Sequence, residues 1–484
     1  MKGDFTRDTF DPTRHFSRVL LQQGRVQLDS DWNEQAAITL HYLRALAKDL
    51  IGPHGGSGFQ IRAIRNVDGT LDLELSPGNY YVNGILCENG IGFKYTLQPG
   101  YPRDPLLPIQ DKTIYIAYLD VWERHVTYHE EPAIRESALG GTDTATRTRV
   151  EWQVKLHNLK TPPPANGGST VAADEDYKTN YDFLIRNLEE HDKIQPGDGH
   201  LAARVRPSAE ATDACVVPSD NRYRGVENQL YRVEIHRPGT AGDGKEAVGV
   251  TDATFKWSRE NGSVVFAVIS VKSDSAKGTT VVILEEFGPD KKLDLSKDDW
   301  VELVYDAYLM RNDAKPLLRV VEIDRDEMTV ILEGTVDSDA IANANANAKP
   351  STHPLLRRWD HRAGSPYAEG ALVVVEGVEV LEKQVWLELE DGIEIRFAPA
   401  GHYQTGDYWL IPARTATGDV EWPRDSTTEN AATTLKPRLV RAQGVKHSYA
   451  PLAAVGFSGG EPKGITDLRR DLTKLWPPQK SPQA

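Results

Sequence analysis

Short runs of alternating apolar and polar residues make up most of the chain beyond residue 60. They are rich in β-branched and aromatic residues and are bounded by Gly, Pro, Asn or Asp, so this period of two predicts strands. We therefore expect a mainly β fold with several small sandwich-like or barrel-like β modules. The clearest runs are LDLEL, GNYYVNGILCEN, TIYIAYLDVW, RVEWQVKLHN, QLYRVEIH, SVVFAVISV, TVVIL, WVELV, ALVVVEGVEV and IEIRF.

One segment before the strands, AAITLHYLRALAKDLI, has a helical period instead. Its apolar positions are separated by four, three, four and three residues, which predicts a long N-terminal helix with one narrow apolar seam. Such a seam suits docking or oligomerisation, and the alternative is ordinary packing on its own domain. Gly52 followed by Pro53 is expected to end the helix. The seam residues are Ala36, Leu40, Leu43, Ala47 and Leu50.

The start of this helix lies in the stretch QQGRVQLDSDWNEQ. Asp31 is expected to be the N-cap, with Glu34 three residues later completing a capping box. Trp32 then falls in the first helical turn among polar side chains, and we expect it to be buried against another segment or another subunit. An extended arm is expected to precede the helix.

The same stretch resembles the beginning of a calcium-binding EF-hand loop, because Asp29, Asp31 and Asn33 match its first three ligand positions. The sixth position of that loop needs Gly and the twelfth needs Glu, but the chain has Glu34 and Leu40 there. We therefore expect no calcium site.

Breaks in the strand pattern suggest how the chain is divided. The segment at 161–224 is rich in Pro and polar residues around one short helix candidate, and 337–354 is of low complexity. The expected organisation is an arm and docking helix (1–58), a β module (59–160), an irregular insertion (161–224), a β module (225–336), a linker (337–354) and a C-terminal β module with a short terminal helix (355–484).

Charge and composition exclude several classes of protein. Lys and Arg number 56 against 71 Asp and Glu, a net charge of −15, which disfavours nucleic-acid binding. The N-terminus has no apolar signal region, and no run of 18 apolar residues predicts a transmembrane segment. We expect synthesis in the cytoplasm without a classical secretion signal. The two cysteines, Cys87 and Cys215, have no metal-type spacing.

Catalytic motifs receive little support. Residues 456–460, GFSGG, match a nucleophile elbow, but Pro462 interrupts the required helix and no His follows His447. His125 and His129, next to Glu130, lack the spacing of a zinc protease. A carboxylate pair of the glycosidase type is the remaining enzymatic alternative. We expect no catalytic residues, no cofactor and no metal.

Aromatic residues beside turns offer a different kind of function. The motifs PGNYYVNG, FKWSRENG and GDYWLIPAR each combine Tyr, Trp or Phe with turn residues. Such residues are typical of subunit interfaces and of glycan-binding platforms. A glycan-binding or receptor-binding module is therefore the alternative to an assembly role.

Several long blocks resemble an uncharacterised family of phage-tail-like proteins associated with contractile injection systems. The blocks include QQGRVQLDSDWNEQ, PGNYYVNGILCEN, YLDVWERHVTYHEEPAIRESALGGTDTATRTRVEWQVK, FKWSRENGS and GDYWLIPAR. The N-terminal block is also similar to tail-fibre and baseplate-attached proteins. The resemblance implies a structural or adaptor subunit, assembled as a trimer or hexamer with other particle subunits. It implies no catalytic residues.

Overall fold

The computed structural model describes residues 1–67, 69, 71–98, 114–158, 180–192, 197–207, 222–242, 252–311, 314–345, 352–361, 371–374, 379–380, 383–384, 386–399, 401–429, 432–458 and 461–472. The chain forms two compact units. The helix unit comprises Thr9–Val126, Arg147–Gln195 and Lys446–Ala484, and the barrel unit comprises Met1–Asp8, Thr127–Thr146 and Pro196–Val445. Across the described residues, no helix is both long enough and apolar enough to span a membrane.

The described helices are few and mostly short. The α-helices are α1 (Asp29–Ile51), α2 (Tyr181–Asp192), α3 (Asp306–Arg311) and α4 (Ser338–Ala344), and the 3₁₀ turns are Pro12–Arg14, Tyr95–Leu97, Pro132–Ile134 and Ser137–Leu139.

Strands make up most of the regular structure. The first group is β1 (His54–Gly56), β2 (Ile61–Arg65), β3 (Leu71–Leu75), β4 (Gly78–Val82), β5 (Ile85–Asn89), β6 (Phe93–Lys94), β7 (Ile114–Val126), β8 (Arg147–Asn158), β9 (His200–Val205), β10 (Gln229–Ile235), β11 (Gly239–Thr240), β12 (Thr254–Ser258), β13 (Val265–Asp274), β14 (Thr279–Leu284), β15 (Trp300–Val304) and β16 (Leu318–Asp324). The second group is β17 (Thr329–Glu333), β18 (Leu355–Trp359), β19 (Leu372–Val373), β20 (Glu379–Val380), β21 (Lys383–Gln384), β22 (Leu387–Glu388), β23 (Ile393–Phe397), β24 (His402–Tyr403), β25 (Tyr408–Arg414), β26 (Asp419–Val420), β27 (Arg424–Glu429), β28 (Ala432–Pro437), β29 (Val440–Arg441), β30 (Ser448–Ser458) and β31 (Glu461–Asp467).

The helix unit is organised around a four-stranded antiparallel sheet, in the order β31-β30-β7-β8. Strand β7 is buried on both faces because its alternate side chains enter two different cores. Tyr115 and Leu119 point into a core shared with the three-stranded sheets β1-β4-β5 and β2-β3-β6. Tyr118, on the other face, packs with Leu184 of α2. The continuous apolar run in β7 follows from this double coverage.

The barrel unit contains a closed six-stranded antiparallel barrel, in the order β13-β14-β17-β16-β15-β18. Its interior includes Leu332 and Leu356, and α4 adds the buried residues Ala340 and Ala344 to the same core. A second core in this unit joins the sheet β19-β12-β10-β25-β26 to the sheet β22-β23-β9-β29, with Trp409 at its centre. The expected mainly β fold with sandwich-like and barrel-like modules, an N-terminal arm and one long N-terminal helix is confirmed.

The expected linear division of the chain differs from the structure because strands distant in sequence pair with each other. Strand β18, placed by the sequence in a C-terminal module, closes the barrel against β13 and β15. Strand β30, from the same expected module, pairs with β7 of the helix unit. The expected boundaries at 58, 160, 224, 336 and 354 therefore do not separate folding units.

Three local expectations are also wrong. The expected linker at 337–354 contains α4, whose buried alanines belong to the barrel core. The expected irregular insertion at 161–224 contains the strand β9, which pairs with β23, although its short helix candidate is confirmed as α2. Within this range, residues 161–179, 193–196 and 208–221 lie outside the described part of the chain. The expected short terminal helix is wrong at its start, because its first residues belong to strand β31.

Candidate functional site

The N-terminal arm and α1 contain a concentration of exposed apolar side chains. In the described part of the chain, eleven of the 25 exposed large hydrophobic residues lie between positions 16 and 50. Soluble monomers rarely expose contiguous apolar patches larger than roughly a few hundred Å², and larger ones commonly mark interaction sites. We call this segment, residues 16–50, the apolar segment. Its exposed members are Phe16, Leu20, Leu21, Val26, Leu28, Trp32, Leu40, Tyr42, Leu43, Leu46 and Leu50.

The predicted seam lies on the exposed side of α1. Leu40, Leu43 and Leu50 are 40%, 59% and 70% exposed, Ala36 is also exposed, and Ala47 is half-buried. Ile38 is buried against the helix unit. Since successive helical residues are about 100° apart, Leu43 is rotated by roughly 140° from Ile38. The seam therefore faces away from the side by which α1 packs on its own unit, so that the alternative of ordinary packing does not account for these leucines.

Trp32 extends this exposed face by one further position. Its side chain is 68% exposed, and residues 32, 36, 43 and 50 recur at intervals that keep them on one side of the helix. The expectation that another segment of the same chain buries Trp32 is wrong. Burial against another subunit stays a prediction.

The residue at the N-cap of α1 is not the predicted one. The helix begins three residues earlier than expected, with Leu28 at the N-cap position. Asp31 is instead the third helical residue, and its carboxylate accepts a hydrogen bond of 3.3 Å from the Leu28 N–H. Asp31 thus performs the reciprocal half of a capping box. Asp29 and Asp31 also place negative charge in the first turn, where the helix dipole favours it.

Glu34 does not cap the helix, because it is one turn too far along. Its Oε2 accepts a hydrogen bond of 2.7 Å from Thr9 Oγ1. Nearby, Gln35 Oε1 accepts a hydrogen bond of 2.8 Å from the Val19 N–H, and the Phe10 ring lies 5.8 Å from that of His41. These contacts hold the arm along α1.

Two further contacts fix α1 to the β structure of the helix unit. Arg44 on α1 forms an ion pair of 2.8 Å with Glu123 on β7. Gly84, in the β4–β5 turn, approaches the helix so closely that an added Cβ would lie 2.2 Å from the Arg44 carbonyl oxygen. The exposed seam is therefore carried on a helix with a fixed position within its own unit, which is what a docking surface requires.

The barrel unit contains a cluster of buried charged side chains. Lys256 on β12 lies 2.7 Å from Glu302 on β15 and 3.5 Å from Glu234 on β10, and Lys2 lies 2.9 Å from Glu234. Glu302 also accepts hydrogen bonds from Tyr308 and Trp359. Buried charges need such pairing, because their isolated burial is strongly unfavourable.

The pKa values in this cluster do not suit glycosidase chemistry. Burial alone would raise the pKa of Glu302, but attraction to Lys256 and then Lys2 lowers it to about 2. Burial opposes ionisation of Glu234 as well, yet Lys2, Arg232 and Lys256 hold its pKa well below the usual range. A glycosidase needs one carboxylic acid with a raised pKa as proton donor. This pair gives no support to the glycosidase alternative.

The aromatic motifs are largely structural. Tyr80, Trp257 and Trp409 are all buried in hydrophobic cores, and the half-buried Tyr408 has the Arg232 guanidinium 3.7 Å from its ring centre. These residues do not form an exposed platform of the kind that binds sugars. The Ser of GFSGG ends β30, and the strand β31 follows where a nucleophile elbow needs a helix.

Three potential metal ligands meet in the barrel unit, although no motif or spacing in the sequence groups them. Glu130, Asp306 and His353 are half-buried, and one donor atom from each lies within 4.8 Å of the others. His129 and Glu130 are neighbours in the sequence, but His129 is not one of the three residues. Burial, followed by the charges of Arg135 and Arg357, lowers the pKa of His129 to about 4. Only contacts over long sequence separations bring Glu130 to its two partners.

The fold and the apolar segment define a mainly β protein that exposes an amphipathic helix beside an extended arm. The chain belongs to a family of unknown function, DUF6519, whose family model matches residues 1–162 and 165–463. No curated protein and no solved structure matches the chain.

Proposed function

We propose that this protein is a structural or adaptor subunit that acts through protein–protein assembly, with the apolar segment as its docking surface. The observation that carries the proposal is the concentration of eleven exposed large hydrophobic side chains between residues 16 and 50. An interface that covers them would remove apolar surface from water, which is the dominant favourable term in most protein association.

The seam of α1 contributes measurably to such an interface. Complete burial of a leucine side chain is worth about 1.5–3 kcal/mol. Leu43 and Leu50 are 59% and 70% exposed, so covering both would contribute roughly 2–4 kcal/mol on that scale. The spacing by threes and fours suits packing against a second helix. We propose further copies of this chain as the partners at the seam, because the same narrow apolar stripe on each copy can pack around a shared axis, as in a coiled coil.

The setting proposed for this assembly is a contractile injection system or phage-tail-like particle, at or near the baseplate or as a fibre or anchoring appendage. Support comes from the residue blocks that resemble phage-tail-like proteins, chiefly QQGRVQLDSDWNEQ in the apolar segment and PGNYYVNGILCEN in β4 and β5. The proposed homo-oligomer is a trimer or hexamer, made in the bacterial cytoplasm and resident in the particle with its other subunits.

Molecular mass measured by light scattering during size-exclusion chromatography tests the assembly. We expect the wild-type chain to have the mass of an oligomer and Leu43→Glu/Leu50→Glu to shift towards the monomer. Glu is tolerated on an exposed helical face, so the variant should keep its helical circular dichroism. The matched control is Leu139→Glu, since Leu139 is 62% exposed outside the apolar segment.

Two outcomes would count against the proposal. One is a wild-type chain that is a monodisperse monomer and associates with no sheath, tube or baseplate component. The other is an oligomer whose mass responds equally to the seam variant and to the Leu139 control.

A further inference from the structure

Two potential metal ligands are placed opposite each other by the register of the barrel. Strands β15 and β18 are antiparallel partners, and Val304 pairs with Leu355 at the end of their ladder. Two more steps along the same register place Asp306 opposite His353. The backbone follows this course, because the Asp306 N–H donates to the Thr352 carbonyl over 3.1 Å. As a result, His353 Nδ1 lies 3.0 Å from Asp306 Oδ2.

The third residue comes from a separate segment of the barrel unit. Glu130 lies in a tight turn in which the N–H groups of Glu130 and Glu131 both donate to the Thr127 carbonyl, each over 3.1 Å. Further along the segment, Arg135 lies 4.0 Å from Glu286, which follows β14 of the barrel. The turn thereby brings the Glu130 carboxylate to Asp306 and His353, with donor atoms no more than 4.8 Å apart.

This donor set suits a divalent transition metal. Ligands about 2.0–2.2 Å from one ion are separated from each other by roughly 3 to 4 Å, depending on the angle between them. The 3.0 Å separation of Asp306 and His353 already falls in that range, and the upper bound of 4.8 Å for the set requires only a small side-chain adjustment. One imidazole nitrogen with two carboxylate oxygens favours Zn²⁺, Mn²⁺ or Fe²⁺ over an all-oxygen ion such as Ca²⁺.

We propose that Glu130, Asp306 and His353 bind one divalent transition-metal ion at the rim of the barrel. His353 supplies Nδ1, and the two acids supply one oxygen each. Three protein ligands leave further coordination positions for water or for a group from outside the site. The positive charge of Arg357 attracts the Glu130 carboxylate. The site is independent of the apolar segment, and its failure would leave the assembly proposal untouched.

The competing explanation is that His353 simply pairs with Asp306 through this 3.0 Å contact, without a metal ion. The two explanations differ in their response to metal. The ion pair predicts no saturable binding, whereas coordination predicts saturable binding of one ion per chain.

Isothermal titration calorimetry of the full-length protein, purified without a polyhistidine tag and freed of metal with EDTA, tests the proposal. MnCl₂ and ZnCl₂ are titrated separately into wild type, Glu130→Gln, Asp306→Asn and His353→Gln. We expect one ion per chain for wild type and at least tenfold weaker binding for each variant. Glu131→Gln is the matched control, because Glu131 lies in the same turn outside the ligand set, and its affinity should equal that of wild type.

Circular dichroism and thermal unfolding without metal separate a lost ligand from a lost fold. A variant with wild-type spectra and unfolding temperature but weakened binding supports coordination. Absence of saturable binding in wild type would overturn the proposal. Equal binding by wild type and all three ligand variants would overturn it as well, because the ion would then be held elsewhere.

Discussion

Gly84 allows a close approach between α1 and the β4–β5 turn of its own unit, and its replacement is a sensitive test of how the helix is held. Gly84 has a φ of +80° and follows Asn83, whose φ is +47°, in the turn between β4 and β5. An added Cβ would lie 2.2 Å from the carbonyl oxygen of Arg44 and 2.9 Å from its carbonyl carbon. Both atoms are helix backbone, so no flexible side chain can move aside.

The expected cost of Gly84→Ala has two parts. Placing a non-glycine residue in the left-handed region costs about 1–2 kcal/mol. Overpacking against backbone typically costs a further 1–3 kcal/mol through the shifts it forces. We therefore expect Gly84→Ala to lower the free energy of unfolding by about 2–5 kcal/mol, and to displace α1, which the Arg44–Glu123 ion pair also holds.

A second glycine of the same unit allows the conformational cost to be measured separately from the overpacking cost. Gly69 has a φ of +84°, but an added Cβ there would meet no atom within 4 Å. Gly69→Ala should show only the conformational cost, about 1–2 kcal/mol. The assay is urea unfolding of both variants, followed by far-UV circular dichroism and tryptophan fluorescence. Equal destabilisation by the two substitutions would refute the close approach of the turn to α1.

Three further predictions concern buried charges. Asp120→Asn should destabilise the chain by about 3–5 kcal/mol at pH 7 in urea unfolding, because the buried carboxylate lies 2.7 Å from Lys155. Burial opposes ionisation of Asp120, but His447 and then Lys155 lower its pKa. The stabilisation by the charged carboxylate is therefore present above pH 4, and the loss caused by the substitution should shrink as the pH falls further. Asp407 has a pKa raised by burial from 3.8 to about 6. Its protonated form is favoured in the fold, so stability is lost as the pH rises from 4 through 6, and Asp407→Asn should remove up to about 3 kcal/mol of that dependence in unfolding measured across this range. Lys256→Met should lower the free energy of unfolding by about 3–5 kcal/mol, because it leaves Glu302 without its nearest cation. Adding Glu302→Gln should recover part of this loss in thermal unfolding, and no recovery would contradict the pairing.

Local features of the fold could be predicted from the sequence because their causes are local. Asn83 and Gly84 are turn residues of the PGNYYVNG motif, and both have the positive φ that an Asn-Gly hairpin turn requires. The alternating runs predicted the strands, including the long pair β7 and β8, and the spacing by threes and fours predicted α1 and its end at Gly52.

Features that depend on distant residues could not be predicted in this way. The pairing of β30 with β7 joins positions more than 300 residues apart, such as Ala450 and Leu119, and no local period encodes that choice. The alanines of α4 resembled a low-complexity linker, although two of them are buried in the barrel. At the start of α1 several acids satisfy the same electrostatic preference, so spacing alone assigned the N-cap to the wrong residue.

The two candidate sites illustrate the same limit. The seam was predictable because all its residues lie on one helix. The set of Glu130, Asp306 and His353 was not, because the register of β15 and β18 and a separate turn bring its members together. The aromatic motifs suggested an exposed surface, but a sequence cannot show that Trp257 and Trp409 face a core.

Site-specific photo-crosslinking tests the central claim most directly, since the claim is that a second protein covers the seam of α1. A chain with p-benzoylphenylalanine in place of Leu43 is irradiated in solution, and the same amino acid in place of Leu139 serves as the control. The assembly account predicts an interchain product from position 43 whose linked peptide maps to residues 16–50 of another copy, and none from position 139. Products confined to single chains, or equal interchain yields from the two positions, would contradict it.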